Sequence, residues 1–196
     1  MSMEWETFEQ TCKGCTACGL ATTRKNVVVG RGNPNARVLF VGEGPGEQED
    51  LQGLPFVGPA GQLLDLALEA AQLRPEEYYI ANIVKCRPPQ TREPSTEEAK
   101  TCISHLRKQF ALIQPEVVVC LGRVAAKTLI DPNIRITKER GVWVERKNKR
   151  FLATFHPAAI LHDREGGLQK KQDLLEDLLK IRRYLDGKEN TTSAII

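Results

Sequence analysis

"VLFVGEGPGEQED", Val38 to Asp50, decides the fold, because a short apolar run breaks into a glycine loop and then into acids. Val38 to Val41 has the length and composition of a buried strand. Glu47, Glu49 and Asp50 stand where carboxylates favour the N-terminus of a following helix. Gly42, Gly44 and Gly46 fall at alternate positions around the junction. A strand-to-helix glycine loop is a common phosphate cradle. Here position 47 is Glu where a dinucleotide fingerprint needs glycine, Pro45 removes a backbone donor, and four carboxylates in ten positions repel an anion. The loop is either built for a ligand other than phosphate or is a solvated turn.

Outward from this loop, strands and helices alternate. A helical pattern covers Pro59 to Leu73, with Leu63, Leu64, Leu66 and Leu68 on its apolar side. Tyr78 to Val84 reads as a second buried strand, followed by "CRPPQTREP" and by a helix that Ser95 and Glu98 open with capping-box spacing and that runs to about Ile113. "EVVVCLG" is a third strand, "RVAAKTLI" a short helix, Val142–Glu145 and Phe151–Phe155 the last strand pieces, and Gln169–Leu185 a long amphipathic helix. Upstream lie an N-terminal helix, a cysteine loop and the β-branched run Val27–Val29. Such alternation predicts an α/β fold, a parallel sheet between two helical layers.

The chain of 196 residues supports one core, so a single domain over 1–186 is expected, with a flexible tail from Gly187 to Ile196. Twenty-eight basic against 25 acidic residues leave +3, so a nucleic-acid footprint has to come from a local basic face. "MSMEWETFEQ" carries no export signal and no stretch reaches the roughly 20 apolar residues of a membrane span. A soluble, cytoplasmic protein with no membrane partner is expected. In that reducing setting six cysteines point to metal or cluster ligation before disulfides.

Ligands of parallel sheets bind beyond the carboxyl ends of the strands. Glu43 follows the first core strand, Asn82 lies near the end of the second, and His156 follows Phe151–Phe155, so three polar groups converge on one rim. Cys12, Cys15 and Cys18 make two overlapping C-x-x-C pairs, and Cys86 and Cys102 stand downstream. Thr22 and Thr23 replace the Cys-Pro of a self-contained ferredoxin motif, while spacing alone also admits a four-cysteine zinc site in which Cys12 or Cys18 is a bystander. Cys120, inside a Val-rich strand, reads as a core residue, and neither His105 nor His162 is given a catalytic role.

In order and spacing, "CTACGL", "TTRKNVVVGRGNP", "VGEGPGEQED", "GLPFVGPAGQLL", "YIANIVKCRPP", "REP" and "HPAAIL" resemble the family-4, iron-sulfur branch of the uracil-DNA glycosylases over most of the chain. The resemblance implies a three-layer α/β/α sandwich with a central four-stranded parallel sheet, a 4Fe-4S cluster, and excision of uracil from DNA; no lysine stands in these motifs as a Schiff-base nucleophile, so a monofunctional, base-flipping monomer is expected. It implies cluster ligation by Cys15, Cys18, Cys86 and Cys102, with Cys12 spare.

Departure of uracil leaves a cationic sugar and an anionic base, tasks that suit the carboxylate of Glu43 and an imidazole donor from His156. The amide of Asn82 matches the N3–H donor and O4 acceptor of uracil, Phe56 stacks on the flipped base, and Gly42 and Gly44 let backbone approach it. Glu47 or Glu49 fills the space of a thymine methyl. The resemblance implies an apolar duplex wedge after His156, with Ile160 or Leu161 as the candidate. His162 stands where the family tends to carry arginine, with Arg164, Lys170 and Lys171 as substitutes for phosphate contact. Arg87 and Arg92 lie near the second strand's end. Two alternatives stay open: a non-catalytic iron-sulfur DNA-binding module, and a relative with shifted base specificity such as hypoxanthine.

Overall fold

The computed structural model describes residues 2–188, so most of the tail expected at 187–196 lies outside the described residues. Its sheet has six strands in the order β1-β3-β2-β4-β6-β5: β1 (Arg31–Gly32), β2 (Val38–Gly42), β3 (Tyr78–Asn82), β4 (Val117–Leu121), β5 (Trp143–Arg146) and β6 (Lys149–Thr154). The inner four, β3-β2-β4-β6, are parallel, as expected. Each edge adds an antiparallel strand that the four-stranded expectation omits. On one side, Arg31 and Gly32 pair with Ile80 and Tyr79, and two residues are too few to carry a period-2 pattern. On the other, Lys147 and Asn148 adopt φ of 49° and 60°, the left-handed pair of a two-residue hairpin turn. That turn joins β5, expected as a strand piece at Val142–Glu145, to β6 and lets the charged stretch around it pair to its end.

Helices cover both faces: α1 (Met3–Lys13), α2 (Glu47–Gln52), α3 (Pro59–Ala70), α4 (Thr96–Ile113), α5 (Arg123–Leu129), α6 (Ile136–Glu139), α7 (Pro157–Leu161) and α8 (Gly167–Leu185). Alternation along each strand divides the core. Leu39, Val41, Tyr79, Ala81, Val118 and Cys120 face Trp5 of α1, Leu106 of α4 and Ala125 of α5. Val38, Phe40, Ile80, Val119 and Leu121 face Leu64 and Leu68 of α3, Ile160 of α7 and Leu174, Leu178 and Ile181 of α8. Every residue of β2, β3 and β4 is buried, which is why those strands read as unbroken apolar runs. Leu66, counted on the apolar side of its helix, is 64% exposed. The box expected at Ser95 forms: Ser95 Oγ accepts from Glu98 N at 3.1 Å and Glu98 Oε2 from Ser95 N at 2.7 Å.

The parallel register sets Gly42 opposite Asn82 and Leu121 opposite Thr154, so the carboxyl ends form one level edge. From β2 the chain passes to β3 on one side and then to β4 on the other. The topological switch point therefore lies between β2 and β4, at the loops that begin with Glu43 and Gly122. No helix among the described residues is long and apolar enough to cross a membrane.

Candidate active site

Gly42 ends β2 against two side chains: a Cβ added there would come within 2.5 Å of Asn82 Oδ1 and 2.7 Å of Phe56 Cζ. Only glycine leaves room for the amide and the ring to meet over the strand end. Phe56 takes φ 53°, a left-handed conformation uncommon for a bulky residue, and its ring lies 5.6 Å from that of His156 at 31°. His156 in turn packs its Cβ on Gly122, where an added Cβ would stand 2.7 Å away. Arg123 follows Gly122 and lies in the electrostatic field of Glu43, the residue after Gly42. Glu43, Asn82, Phe56 and His156 are thereby linked around one rim, three of them from separate strand ends.

Each polar member has a distinct electrostatic state. Burial, reinforced by Glu93 and opposed by Arg123, raises the Glu43 carboxyl to about 7. Arg123 Nη2 donates to Glu93 Oε1, so this ion pair stands beside the raised acid. His156 caps α7, its Nδ1 accepting the Ala158 N–H at 3.1 Å, which puts the ring proton on Nε2. Burial lowers its pKa to about 4 against the pull of Glu49, so the imidazole is a neutral Nε2–H donor at neutral pH. Asn82 is 2% exposed and its Oδ1 is buried without a partner. An orphaned amide oxygen costs about 1–3 kcal/mol, which a ligand N–H would recover.

The other acids of the glycine loop have different work. Glu49 Oε1 accepts the N–H groups of Val57 and Gly58, both at 2.9 Å, and ties α2 to the start of α3. Asp50 Oδ1 accepts from Lys25 and Asn26 at 2.9 and 3.1 Å. Glu47 is solvated, with Arg87 Nη1 3.6 Å from its Oε1. Gly44 backs onto Val84.

The wedge expectation is corrected in part. Ile160 is 1% exposed and packs in the core beneath β6, so it is not available to enter a duplex, whereas Leu161 is 43% exposed. Adjacent residues of a helix point about 100° apart, so one of the pair can face the core and the other solvent, and a five-residue helix is too short for sequence alone to say which. Among the basic candidates, Lys170 Nζ bonds Asp163 Oδ2 at 2.5 Å, and Arg92 is held by both oxygens of Glu98 at 2.6 and 2.7 Å.

Cys12, Cys15, Cys18, Cys86 and Cys102 line one cavity with His105 between α1, the segment after β3, and α4. Arg24 Nη1 donates to Cys86 Sγ at 3.4 Å and Lys85 N to Cys102 Sγ at 3.3 Å. Cys12 contacts His105 Nδ1 at 3.3 Å. All six cysteines are free, and Cys120 is the expected core residue at 0% exposure. Among the described residues no three His, Cys, Asp or Glu side chains are arranged to hold a single metal ion. Sequence reasoning did not reach Arg24, Lys85, Glu93 or Arg123. Arg123 had a signal in its place just past a strand's carboxyl end, and Lys85 in being a cation flanked by apolar residues.

The parallel sheet thus carries an acid, an amide and an imidazole at its carboxyl edge, and the chain resembles known proteins over most of its length. The family described as "Uracil DNA glycosylase superfamily" matches residues 29–180, and the chain belongs to it. The relatives place it further, among the type-4 uracil-DNA glycosylases. It is 43% identical to the type-4 uracil-DNA glycosylase of Thermotoga maritima over 92% of this chain and 94% of the relative. Identity is 41% to that of Archaeoglobus fulgidus, over 90% and 91%, and 40% to that of Sulfurisphaera tokodaii, over 90% and 83%.

Proposed function

We propose that this protein hydrolyses the N-glycosidic bond of deoxyuridine in DNA, with Glu43, Asn82 and His156 at the reacting nucleotide. The observation that carries the site assignment is the buried, unpartnered Oδ1 of Asn82 beside Phe56. Uracil N3–H would donate to that oxygen and the amide NH2 would donate to O4. Cytosine presents the reverse pair and would leave both sides unsatisfied. Phe56 would stack on the base once it is turned out of the duplex, and Leu161 would occupy the gap.

As the bond from C1′ to N1 lengthens, charge separates between sugar and base. Glu43, ionised above about 7, favours the cationic sugar and orients the water that attacks it. His156 gives a hydrogen bond from Nε2–H to O2 as the base becomes an anion, and stays neutral because its basicity is so depressed. Lys85, 1% exposed and bonded to the Asn82 carbonyl, is engaged away from the sugar, which supports hydrolysis without a Schiff base. The reading takes the enzyme as a monomer.

Cys15, Cys18, Cys86 and Cys102 would hold a 4Fe-4S cluster. The shared cavity and the N–H donors to Cys86 and Cys102 suit thiolates of a cluster. The cluster would crosslink three distant segments. A brown protein with matching iron and acid-labile sulfide supports it, and zinc with no sulfide removes it.

The function is tested on an oligonucleotide with a single uracil. Scission only after alkali treatment is expected from the protein, and a large loss from Glu43→Ala and His156→Ala. Binding without release would favour a non-catalytic module, scission before alkali would add a lyase step, and preferential cutting at hypoxanthine would shift the substrate.

A further inference from the structure

Lys85 has no part in the chemistry above, yet it is 1% exposed, where lysines almost never lie without partners. Its Nζ donates to the carbonyl of Asn82 at 2.9 Å and to Gln109 Oε1 of α4. Gln109, itself 0% exposed, passes the chain on from Nε2 to the Val29 carbonyl at 2.9 Å. The backbone of Lys85 donates to Cys102 Sγ and accepts from Val28 N at 2.8 Å. One residue thus joins the end of β3, the helix that bears Cys102, and the strand-like segment that follows the cysteine loop.

The sheet does not need an ammonium here, because the backbone past Asn82 is already bonded through Ile83 N to the Gly42 carbonyl and Val84 N to the Glu43 carbonyl. What it lacks is a hold on the amide. Among the described residues the Oδ1 of Asn82 has no hydrogen-bond partner, so its direction is set by packing against Gly42 and Phe56 and by the main chain behind it. We propose that Lys85 is a positioning residue for base recognition, fixing the Asn82 peptide from behind and anchoring it through Gln109 and Cys102 to the cysteine-bearing helix. The proposal rests on the reading that Asn82 recognises uracil. A buried, fully bonded lysine is stiff enough for the task, since each of its bonds runs in a low-dielectric interior with no competing water.

The test compares Lys85→Met, Asn82→Ala and the double variant by single-turnover release of uracil, with iron and sulfide content and brown absorbance measured on each. Lys85→Met is expected to keep the absorbance, lose about 10- to 100-fold in the rate of release with little change in DNA affinity, and cost nothing further in the Asn82→Ala background. Losses that multiply in the double variant would show that the lysine acts elsewhere and overturn the proposal. If Asn82→Ala alone releases uracil at the full rate, the base-reading assignment fails and takes this proposal with it. Should Lys85→Met lose its absorbance or its fold, Gln109→Ala carries the same comparison, because it loosens the lysine and leaves every cysteine in place. A smaller loss that again vanishes beside Asn82→Ala supports the relay, and a multiplying or absent loss overturns it.

Discussion

Glu43 and His156 are shifted in opposite senses by the same cause, burial, and the two shifts set the expected pH profile. A carboxyl raised to about 7 is protonated below that value, so release of uracil is expected to fall as pH drops through about 7, by about tenfold per unit well below it. His156, neutral above about 4, adds no limb in that range. Glu93→Gln removes the neighbouring charge that raises Glu43 and frees Arg123 to lower it, so the midpoint is expected to move to lower pH. A profile that Glu93→Gln leaves in place would detach the limb from Glu43. Selectivity tests the proposed role of Asn82 separately: Asn82→Asp is expected to narrow the preference for uracil over cytosine by at least about tenfold, measured as relative rates on matched oligonucleotides. Unchanged preference would mean that the base is read elsewhere. The convergence of these residues was legible in the sequence because strand ends share an edge. Their state was not, since the shift of Glu43 comes first from its burial and then from Glu93 and Arg123, all set by distant parts of the chain packing together.

At the scale of elements, the legible parts were those with strong periodicity or a local signature. The runs of β2, β3 and β4 are apolar on both faces, and Ser95 and Glu98 announce α4. Ser95→Ala, which removes that cap, is expected to cost about 1 kcal/mol and to lower Tm by about 2–4 °C in a thermal melt, with the rate of uracil release kept. What stayed hidden was decided by tertiary pairing or by facing. β1 exists only because Gly32 can lie against β3 with φ 116°; β5 itself was legible as Val142–Glu145, but its tight pairing with β6 depends on Lys147 and Asn148 accepting left-handed backbone. The same holds for α7, where the turn from His156 decides that Ile160 enters the core and Leu161 faces out. Leu161→Ala is therefore expected to slow release from duplex DNA by about tenfold, equivalent to about 1.4 kcal/mol, while sparing single-stranded substrate, which needs no unstacking wedge. Equal losses on both substrates would give Leu161 another role.

Across the whole molecule, the two faces of the sheet are closed by different means. One is sealed by α3, α7 and α8 with large aliphatic side chains on every helix. The other is closed by α1, α4 and α5, which meet the sheet through Trp5, Leu106 and Ala125 beside the cysteine-lined cavity. Cysteines 15 and 18 follow α1, Cys86 follows β3, and Cys102 sits in α4, so a cluster bound there would close a loop of roughly 70 residues across this face. A crosslink of that span is worth about 4 kcal/mol in the chain-entropy description, and its removal is expected to lower Tm by about 10 °C in a protein of this size. Damage should be local before it is global. After oxidative removal of a cluster bound there, limited proteolysis is expected to cut first near the cysteine loop and between β3 and α4, because the core that α3, α7 and α8 close on the opposite face contains no cysteine. A protein that loses its iron with no change in Tm or cleavage pattern would show that α1 and α4 hold by packing alone, and would strip the cluster of the structural role assigned to it.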